Sequence, residues 1–334
     1  MAVTIKEVAD LAKVSTSTVS RVLAGNPRIS DNTKERVWKA VEDLNYHPNA
    51  IARSLANKST NTLGVILPSR NDDLFKNPFF IQTMTGISKY AKKIGYYIMY
   101  TYSKNEEEEV KIIDNYINSK LVDGIILLTS RYEDKSIKNL KNKQFPFVVI
   151  GRPENIDNDL WIDNDNFRAM REVVYYLIEK GHRNIGFIGG PSNLYMSRDR
   201  YQGYISALQE NNIDINIDYI YEMKDFTEEC GYLAAKKLFK NKGVTGIVTT
   251  DDLLAFGTLK FMKEKSIKDI SIVGFNNTPL SEYQNPPLTT VNINADLLGY
   301  NAAKLLISSL RNTLEGKNYF IVDTEIIKRE STKG

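Results

Sequence analysis

Short apolar runs recur along most of this 334-residue chain, and amphipathic stretches separate most of them. The runs cover residues 63–67, 95–101, 124–128, 147–150, 185–188, 246–249 and 272–275. Strands that alternate with helices form parallel sheets whose two faces are both covered. Because the runs fall into two sets, before and after about residue 162, we expect two doubly wound parallel-sheet subdomains.

The boundaries of these α/β subdomains follow from the order of the runs. A further run at 288–292 leads into an amphipathic stretch at 295–310, which we expect to form a helix that crosses back to the first subdomain. We therefore predict one α/β domain of two subdomains over residues 61–334. Its first subdomain is expected at about 61–161 and 293–318, and its second at about 162–292 and 319–330.

The first sixty residues have a different, all-helical pattern. Thr4 precedes an apolar face at i, i+3, i+4 and i+7, and Glu7 stands where a capping box requires an acid. A second helix is expected from Thr16 to Ala24, stopped by Gly25-Asn26-Pro27, and a third after Ser30. Two short helices with a tight turn, followed by a third, predict a helix-turn-helix domain over residues 1–48.

The second helix of such a motif enters the major groove of DNA. Its first residues, Thr16, Ser17 and Thr18, are small polar groups that can touch base edges or phosphates. Arg21 lies about one turn further on and can bond guanine bidentately. A small helical bundle with a solvated polar face would show the same pattern, so these residues alone leave both interpretations open.

Charge favours the DNA-binding interpretation. Up to Thr60 the chain carries nine Lys and Arg against six Asp and Glu, and its net charge as a whole is +3. The excess of positive charge therefore lies entirely on the N-terminal segment, which is the sign expected of a surface that contacts phosphates.

The segment from Tyr46 to Leu55, YHPNAIARSL, resembles the YxPNxxAxxL hinge of the lactose-repressor (LacI/GalR) family. The preceding TIKEVADLAKVSTSTVSRVL resembles that family's DNA-binding helices almost position for position, and the similarity continues to the C-terminus. It implies a sequence-specific transcriptional repressor. It also implies that residues 61–334 form a periplasmic-binding-protein-like domain for ligand binding and dimerisation, with a hinge helix and linker over residues 49–60 before it.

The resemblance also assigns roles to individual residues. Thr16 and Ser17 would discriminate operators, Ser30, Asn32 and Thr33 would meet backbone phosphates, and Leu55 would wedge into the minor groove at the operator centre. The expected DNA-binding set is Thr4, Thr16, Ser17, Thr18, Arg21, Ser30, Asn32, Thr33, Tyr46, Asn49, Ala52 and Leu55.

Polar and aromatic residues follow the apolar runs of the large domain. In open α/β sheets, ligands bind beyond the carboxyl ends of the strands, so these residues are expected to line one cleft. Their types suit a neutral polyhydroxylated ligand, although Asp165 could simply cap a helix and Phe79 could belong to the core. The expected effector-binding set is Ser69, Phe79, Phe80, Arg152, Asp165, Arg198, Phe226, Asp251 and Asn276.

Family positions indicate which kind of effector is bound. Arg198 matches an arginine that bonds sugar hydroxyls, Phe226 matches a stacking aromatic, and Asp251 and Asn276 match polar ligand positions. Phe79 and Phe80 fall where the family's purine-binding member stacks its base. The sequence departs from the family pattern at two positions. Asn276 stands where the lactose repressor has an Asp, and Ile293 stands where a Gln is common. The motifs NPFF, VVIGRP and SRDRYQGY most resemble maltose-operon repressors of Gram-positive bacteria, which implies maltose or a maltodextrin.

Other function classes have little support in the sequence. The single cysteine, Cys230, and two histidines, His47 and His182, form neither a metal pattern nor a catalytic triad, so we expect no cofactor, no metal and no enzyme activity. No apolar run reaches the roughly 20 residues of a membrane helix, and no export signal is recognisable, so a cytoplasmic location is expected.

Three alternatives remain beside a sugar-controlled repressor. A transporter's solute-binding protein would explain only the large domain, and an enzyme on a doubly wound fold would need a catalytic constellation that the sequence does not offer. A regulator of the same family that responds to another sugar, a purine or a phosphoprotein corepressor stays open. No leucine heptad follows Val322, so a homodimer on a pseudo-palindromic operator is expected rather than a tetramer.

Overall fold

A computed structural model describes residues 3–23, 25–47, 59–68, 77–241 and 243–332. The chain divides into two compact units, Met1–Thr60 and Asn61–Gly334, here called the head and the body. The predicted hinge helix and four predicted site residues lie outside the described residues; these four are Asn49, Ala52, Leu55 and Ser69.

The head contains three helices, α1 (Ile5–Ala12), α2 (Thr16–Leu23) and α3 (Asp31–Asp43). At the start of α1 the predicted capping box is present: the Thr4 backbone N–H donates to Glu7 Oε2 (2.6 Å) and the Glu7 N–H donates to Thr4 Oγ1 (3.4 Å). The fully buried Val8, Val19 and Val37 bring one residue from each helix into a shared apolar core. The helix-turn-helix prediction is confirmed.

Two sets of side-chain hydrogen bonds in the head involve α3. Ser30 immediately precedes α3 but does not cap it with its side chain, because its hydroxyl is paired with the Thr33 hydroxyl (2.9 Å). Arg36 of α3 donates from Nη2 to the carbonyl groups of Ala12 and Lys13 and so satisfies the free C-terminal end of α1. Arg36 therefore connects α3 to the turn between α1 and α2.

The body contains two six-stranded sheets, with strand orders β11-β5-β4-β3-β1-β2 and β12-β10-β9-β8-β6-β7. The first sheet and its helices are called the first lobe, and the second sheet and its helices the second lobe. Ladders are parallel except between β10 and β12. The strands are β1 (Thr62–Pro68), β2 (Tyr97–Ser103), β3 (Gly124–Leu127), β4 (Phe147–Ile150), β5 (Leu160–Asn164), β6 (Ile185–Gly189), β7 (Ile220–Glu222), β8 (Gly246–Thr249), β9 (Ser271–Phe275), β10 (Thr289–Asn292), β11 (Tyr319–Val322) and β12 (Glu325–Ile327).

Helices pack against both sheets, as predicted for doubly wound subdomains. They are α4 (Pro78–Ile94), α5 (Glu106–Asn118), α6 (Lys135–Asn142), α7 (Asn166–Glu179), α8 (Tyr195–Glu210), α9 (Glu228–Leu238), α10 (Asp252–Glu264) and α11 (Ala295–Leu310). No helix within the described parts of the chain is long and apolar enough to cross a membrane.

The lobe boundaries differ from the prediction at two places. The strand β5 belongs wholly to the first lobe, so the first crossing follows Asn164 and not residue 161. Residues 319–330 do not stay in the second lobe as expected, because β11 pairs with β5 whereas β12 pairs with β10. Two strands of four and three residues are too short for their pattern to reveal which sheet each one joins.

Helix α11 returns to the first lobe and packs closely on α4, as its prediction required. Two glycines allow this approach. A Cβ atom on Gly86 of α4 would lie 1.8 Å from the carbonyl oxygen of Asp296, and one on Gly299 of α11 would lie 2.0 Å from that of Thr83. Both obstacles are backbone atoms, so neither can turn away as a flexible side chain could.

We therefore expect Gly86→Ala to separate α4 from α11 and to lower the free energy of unfolding by about 1–3 kcal/mol or more, the usual range for overpacking. Chemical denaturation followed by circular dichroism measures this loss. Lys93→Ala, at an exposed position of α4, is the control and should change stability by less than about 0.5 kcal/mol. Equal stabilities of the two variants would contradict the close helix contact.

Candidate DNA-reading helix and effector cleft

Helix α2 presents a polar face to solvent. Thr16, Ser17 and Arg21 are exposed, whereas Val19 and Val22 on the opposite face are buried in the head core. The Ser15 hydroxyl accepts from the Thr18 N–H (3.2 Å) and pairs with the Thr18 hydroxyl (2.9 Å), which fixes the start of the helix. The residues predicted to read bases are therefore free to contact DNA on a rigid support.

The other predicted DNA contacts within the described residues have mixed environments. Asn32 is exposed on the first turn of α3, and Thr33 and Ser30 bond each other beside it. Tyr46 is only 8% exposed and belongs to the head core. Its ring therefore supports the helices, which leaves at most a small part of its surface for DNA.

A buried arginine, Arg200, organises the carboxyl-end edge of the second lobe. Its side chain donates from Nε to Oδ1 of Asn166 (2.9 Å) and from Nη1 to the carbonyl of Thr250 (2.6 Å). Its guanidinium also lies 3.9 Å from the ring centroid of Phe275. The guanidinium therefore connects α8 with the start of α7 and with the ends of β8 and β9.

Asp251 and Asn276 lie together at the same edge, as the sequence predicted. The buried Asp251 accepts from the Leu253 N–H (2.8 Å) and from Nδ2 of Asn276 (2.7 Å). Asn276 has a φ of 106°, a conformation that residues other than glycine seldom adopt. Such strain persists only where surrounding contacts impose it, and it is common at functional sites.

Burial shifts the pKa values of the ionisable side chains at this edge. Desolvation, followed by repulsion from Asp252, raises the pKa of Asp251 to about 8. Desolvation also raises the pKa of Asp252 to about 6 and lowers the pKa of Arg200 to about 10. The side chain of Asp252 is fully engaged by Thr278, Ser281 and Thr290, so its role is structural. Asp251 is the carboxyl group at this edge with capacity for a ligand hydroxyl.

The first lobe contributes Asp163 and Arg152. Asp163, at the end of β5, accepts through Oδ1 from the N–H of Asn164 (2.8 Å) and Nδ2 of Asn166 (2.9 Å). Its buried Oδ2 and the Nε of Arg152 find no hydrogen-bond partner within the described parts of the chain. Desolvation raises the pKa of Asp163 to about 6, against the opposing charge of Arg152. An acceptor and a donor thus remain for a ligand.

One amide connects the two polar groups. Asn166 donates from Nδ2 to Asp163 of the first lobe and accepts through Oδ1 from Arg200 of the second. Asp199 of α8 and Arg152 of the first lobe also lie close enough for their charges to interact. Polar groups at the carboxyl ends of the two sheets therefore meet across the boundary between the lobes.

The three predicted aromatics follow strands of the two lobes and pack partly against the apolar cores. Phe79 and Phe80 pack edge to face at the start of α4, with ring centroids 5.3 Å apart, and both also contact the main core. Phe226 covers Gly190 at the end of β6, where a Cβ atom would lie 2.0 Å from the ring. All three are partly exposed, so each can offer an edge or a face to a ligand.

Arg198 does not join the buried group. It is exposed, and its guanidinium lies 4.8 Å from the ring centroid of Tyr132 in the first lobe. Beside it, the rings of Tyr132 and Tyr195 are tilted by 32° with centroids 4.0 Å apart, and the Tyr132 N–H donates to the carbonyl of Asn193 (3.0 Å). Arg198 thus lies at a contact between the lobes. Asp165 is also exposed and caps α7 through the N–H of Arg168 (3.0 Å).

The polar residues that the prediction missed are Arg200, Asp163 and Asn166. Positions 198 and 200 are about 200° apart on a helix, so they face opposite ways. The small or apolar positions of α8 at Gly203, Tyr204 and Ala207 mark its buried face, and Arg200 falls on that face. This periodicity is readable in the sequence and would have selected Arg200 over Arg198.

The raised pKa of Asp251 predicts how stability changes with pH. The folded-state pKa of about 8 exceeds the ordinary value, so the folded protein binds this proton more tightly than the unfolded chain does. The resulting stabilisation is complete below the unfolded pKa and is lost as pH rises through about 8. For one proton the slope is at most about 1.4 kcal/mol per pH unit.

We expect Asp251→Asn to flatten this decline, because the amide cannot ionise and Asn276 can rotate to accept from it. Thermal unfolding from about pH 5 to about pH 8.5 measures the slope. The isosteric Asp165→Asn, at an exposed cap, is the control and should retain the wild-type slope. Parallel profiles for wild type and Asp251→Asn would show that Asp251 is ionised throughout.

The head and the body each match a known protein family. Residues 4–49 match the family of bacterial regulatory proteins, lacI family, and residues 174–332 match a periplasmic binding protein-like domain. The HTH-type transcriptional regulator MalR of Streptococcus pneumoniae is 37% identical over 321 residues, which is 95% of each chain.

Two solved structures extend the similarity to nearly the whole fold. The lac repressor dimer bound to operator and an anti-inducer has a TM-score of 0.86 and 25% identity, with full coverage of both chains. The transcriptional regulator CelR in complex with cellobiose has a TM-score of 0.76 and 27% identity, covering 98% of this chain and 99% of that one. These relatives are regulators, not enzymes. With its helix-turn-helix head and two-lobed body, the chain is a DNA-binding transcriptional repressor that belongs to the LacI family.

Proposed function

We propose that this repressor is controlled by maltose or a short maltodextrin that binds in the cleft between the two lobes. The supporting observation is the convergence of Arg200, Asp251 and Asn276 of the second lobe with Asp163 and Arg152 of the first. The names of two relatives agree with a saccharide effector, since one is a maltose regulator and another was solved with a disaccharide.

The chemistry of these groups suits vicinal hydroxyls. Each sugar hydroxyl can donate to a carboxyl oxygen and accept from a guanidinium or an amide, so Asp163 with Arg152 and Asp251 with Asn276 form two complementary pairs. The free Oδ2 of Asp163 and Nε of Arg152 lose solvent without gaining a partner within the described residues, and a ligand would supply that partner. Arg200 replaces Arg198 in the proposed effector set, while Phe79, Phe80 and Phe226 would cover the apolar faces of the sugar rings.

The regulator is proposed to act as a cytoplasmic homodimer. In the first lobe, α4 and the edge strand β2 enclose an open groove of about 590 Å³ lined by Leu67, Ile81, Met84 and Tyr100. Tyr97 and Tyr102 of the same edge strand are 66% and 51% exposed. An exposed apolar edge strand tends to pair or to be covered, and the lac repressor neighbour was solved as a dimer, so a second copy of this chain is the proposed partner.

The switch is proposed to be a difference in effector affinity between two arrangements of the lobes. Effector binding would favour the closed cleft and thereby lower the affinity of the dimer for a pseudo-palindromic operator, with Thr16, Ser17 and Arg21 reading bases. Ser30, Asn32 and Thr33 would contact phosphates. Leu55, with Asn49 and Ala52, would serve in the hinge segment.

Fluorescence anisotropy on a labelled operator, selected in vitro with this protein, tests the proposal. We expect binding on the order of nanomolar affinity, weakened by salt, and release on addition of maltose. Binding that maltose leaves untouched would contradict the effector assignment, and other sugars, purines or a phosphoprotein would then be titrated. Absence of any selected sequence would contradict specific recognition.

Arg21→Ala is the matched variant for the DNA side of this experiment. Loss of a base contact should weaken operator binding by about 1–3 kcal/mol and relax specificity at one base pair, while maltose binding stays unchanged. Lys260→Ala removes the same positive charge from an exposed position of the body and should leave operator affinity unchanged. If both variants lose affinity equally, only net charge is being measured.

Met84→Glu tests the proposed dimer surface. A twofold interface would bring two carboxylates together in an apolar groove, so we expect the variant to sediment as a monomer and to lose operator affinity. Ile217→Glu introduces the same carboxylate at a 79% exposed apolar position of the second lobe and should remain dimeric. A dimeric Met84→Glu variant would show that the copies associate elsewhere.

A further inference from the structure

Within residues 59–68, 77–241 and 243–332, the ranges of the body that the structure describes, the chain passes between the two lobes three times. The first follows β5 and enters α7, the second follows β10 and enters α11, and the third lies between β11 and β12. Any rotation of one lobe against the other must occur through the backbone of these three segments. A group that bonds all three would therefore control how they move.

Asn164 is such a group. It is the last residue of β5, and its side chain is buried, with 2% exposure. Its Nδ2 donates to the carbonyl of Ile293 in the second crossing (3.1 Å) and to the carbonyl of Val322 at the start of the third (2.9 Å). One carboxamide in the first crossing thus holds the backbone of the other two.

A second asparagine strengthens the same region. Asn294, at the start of α11, donates from Nδ2 to the carbonyl of Asp323 in the third crossing (2.9 Å) and accepts from Nδ2 of Asn292 (3.0 Å). Its φ of 52° is left-handed, a conformation that asparagine tolerates better than most residues. All three contacts between crossings are made by side-chain amides that donate to backbone carbonyls, and a carboxylate could make none of them.

We propose that Asn164 is a positioning residue that couples the three crossings, so that the lobes open and close as two rigid bodies about one common hinge. The side-chain amide of Asn164 contacts no residue of the proposed effector site. Its backbone N–H, however, donates to Oδ1 of the adjacent Asp163. Effector bonding to Asp163 is therefore transmitted directly to the hinge. The consequence for repression rests on the function proposed above, whereas the mechanical role does not.

The mechanical role is tested on the full chain by the distance between spin labels on the two lobes. Labels are attached at Asn142→Cys on α6 and Gln209→Cys on α8, both exposed positions, in a Cys230→Ser background. Labelled chains are diluted into unlabelled protein so that only distances within one chain are recorded. Double electron–electron resonance then gives the distance distribution.

We expect Asn164→Ala to broaden this distribution roughly twofold, because independent crossings allow more lobe arrangements. The matched control is Asn318→Ala. Nδ2 of Asn318 donates to three carbonyls, those of Ile156 (3.1 Å), Asp157 (2.9 Å) and Asp159 (2.7 Å), all within the first lobe. The control should lower thermal stability and leave the width unchanged. Equal widths for both variants would overturn the proposal.

Two additions keep the result decisive. If Asn164→Ala does not fold, Asn164→Leu is used, since leucine has a similarly branched side chain but cannot donate to the carbonyl groups of Ile293 and Val322. An unbroadened distribution for that variant would then overturn the proposal. Adding maltose to the wild-type protein separates the two claims. A shift of the distance shows effector-driven closure, and the absence of a shift contradicts the maltose assignment while the widths still decide the role of Asn164.

Discussion

The buried guanidinium of Arg200 is the interaction on which the functional edge of this protein depends. A charge removed from water must be compensated by hydrogen bonds, and Arg200 obtains them from Asn166 and from the carbonyl of Thr250, with Phe275 beneath its plane. Satisfying this one group places the ends of β8 and β9 and the start of α7 in fixed relation. The second lobe therefore presents a rigid, polar edge to the cleft.

The hydrogen-bond network that contains Arg200 extends into the first lobe. Asn166 bonds both Arg200 and Asp163, and the next residue after Asp163 is Asn164, which bonds the other two crossings. Groups proposed to bind the effector and groups proposed to form the hinge are thus contiguous in one hydrogen-bonded network. Buried networks of this kind have few alternative arrangements, because each unmade bond leaves a costly unsatisfied group. This property suits a switch with two discrete states.

The fold and the class of function were largely predictable from the sequence because they depend on repeated patterns. Apolar runs with intervening amphipathic stretches gave the two sheets, and Thr4 with Glu7 gave the start of α1. The side chains whose positions the sequence did not reveal depend on local orientation. Arg198 and Arg200 are equally polar, and only the helical phase set by Gly203 and Tyr204 distinguishes them. Similarly, nothing in the sequence around Tyr46 indicates that its ring lies in the head core. The strands β11 and β12 are too short for their residue pattern to show which sheet each one joins.

The hinge could not have been found from the sequence alone. Asn164 lies 129 positions before Ile293 and 158 before Val322 in the sequence. An asparagine at the end of a strand ordinarily indicates a turn or a helix cap. Its role becomes visible only when the three crossings are seen side by side. Asp163 is similar, since a carboxylate at a strand end acquires meaning only when its second oxygen is found buried and without a partner in the described parts of the chain.

Effector and operator are proposed to compete through one conformational equilibrium of the same molecule. Calorimetric titration of maltose into the free protein and into the saturated operator complex tests this proposal most directly. Because coupling between two sites is reciprocal, the account predicts weaker maltose binding to the operator complex, by the same factor by which maltose weakens operator binding. Equal maltose affinities for the free and the operator-bound protein would contradict it.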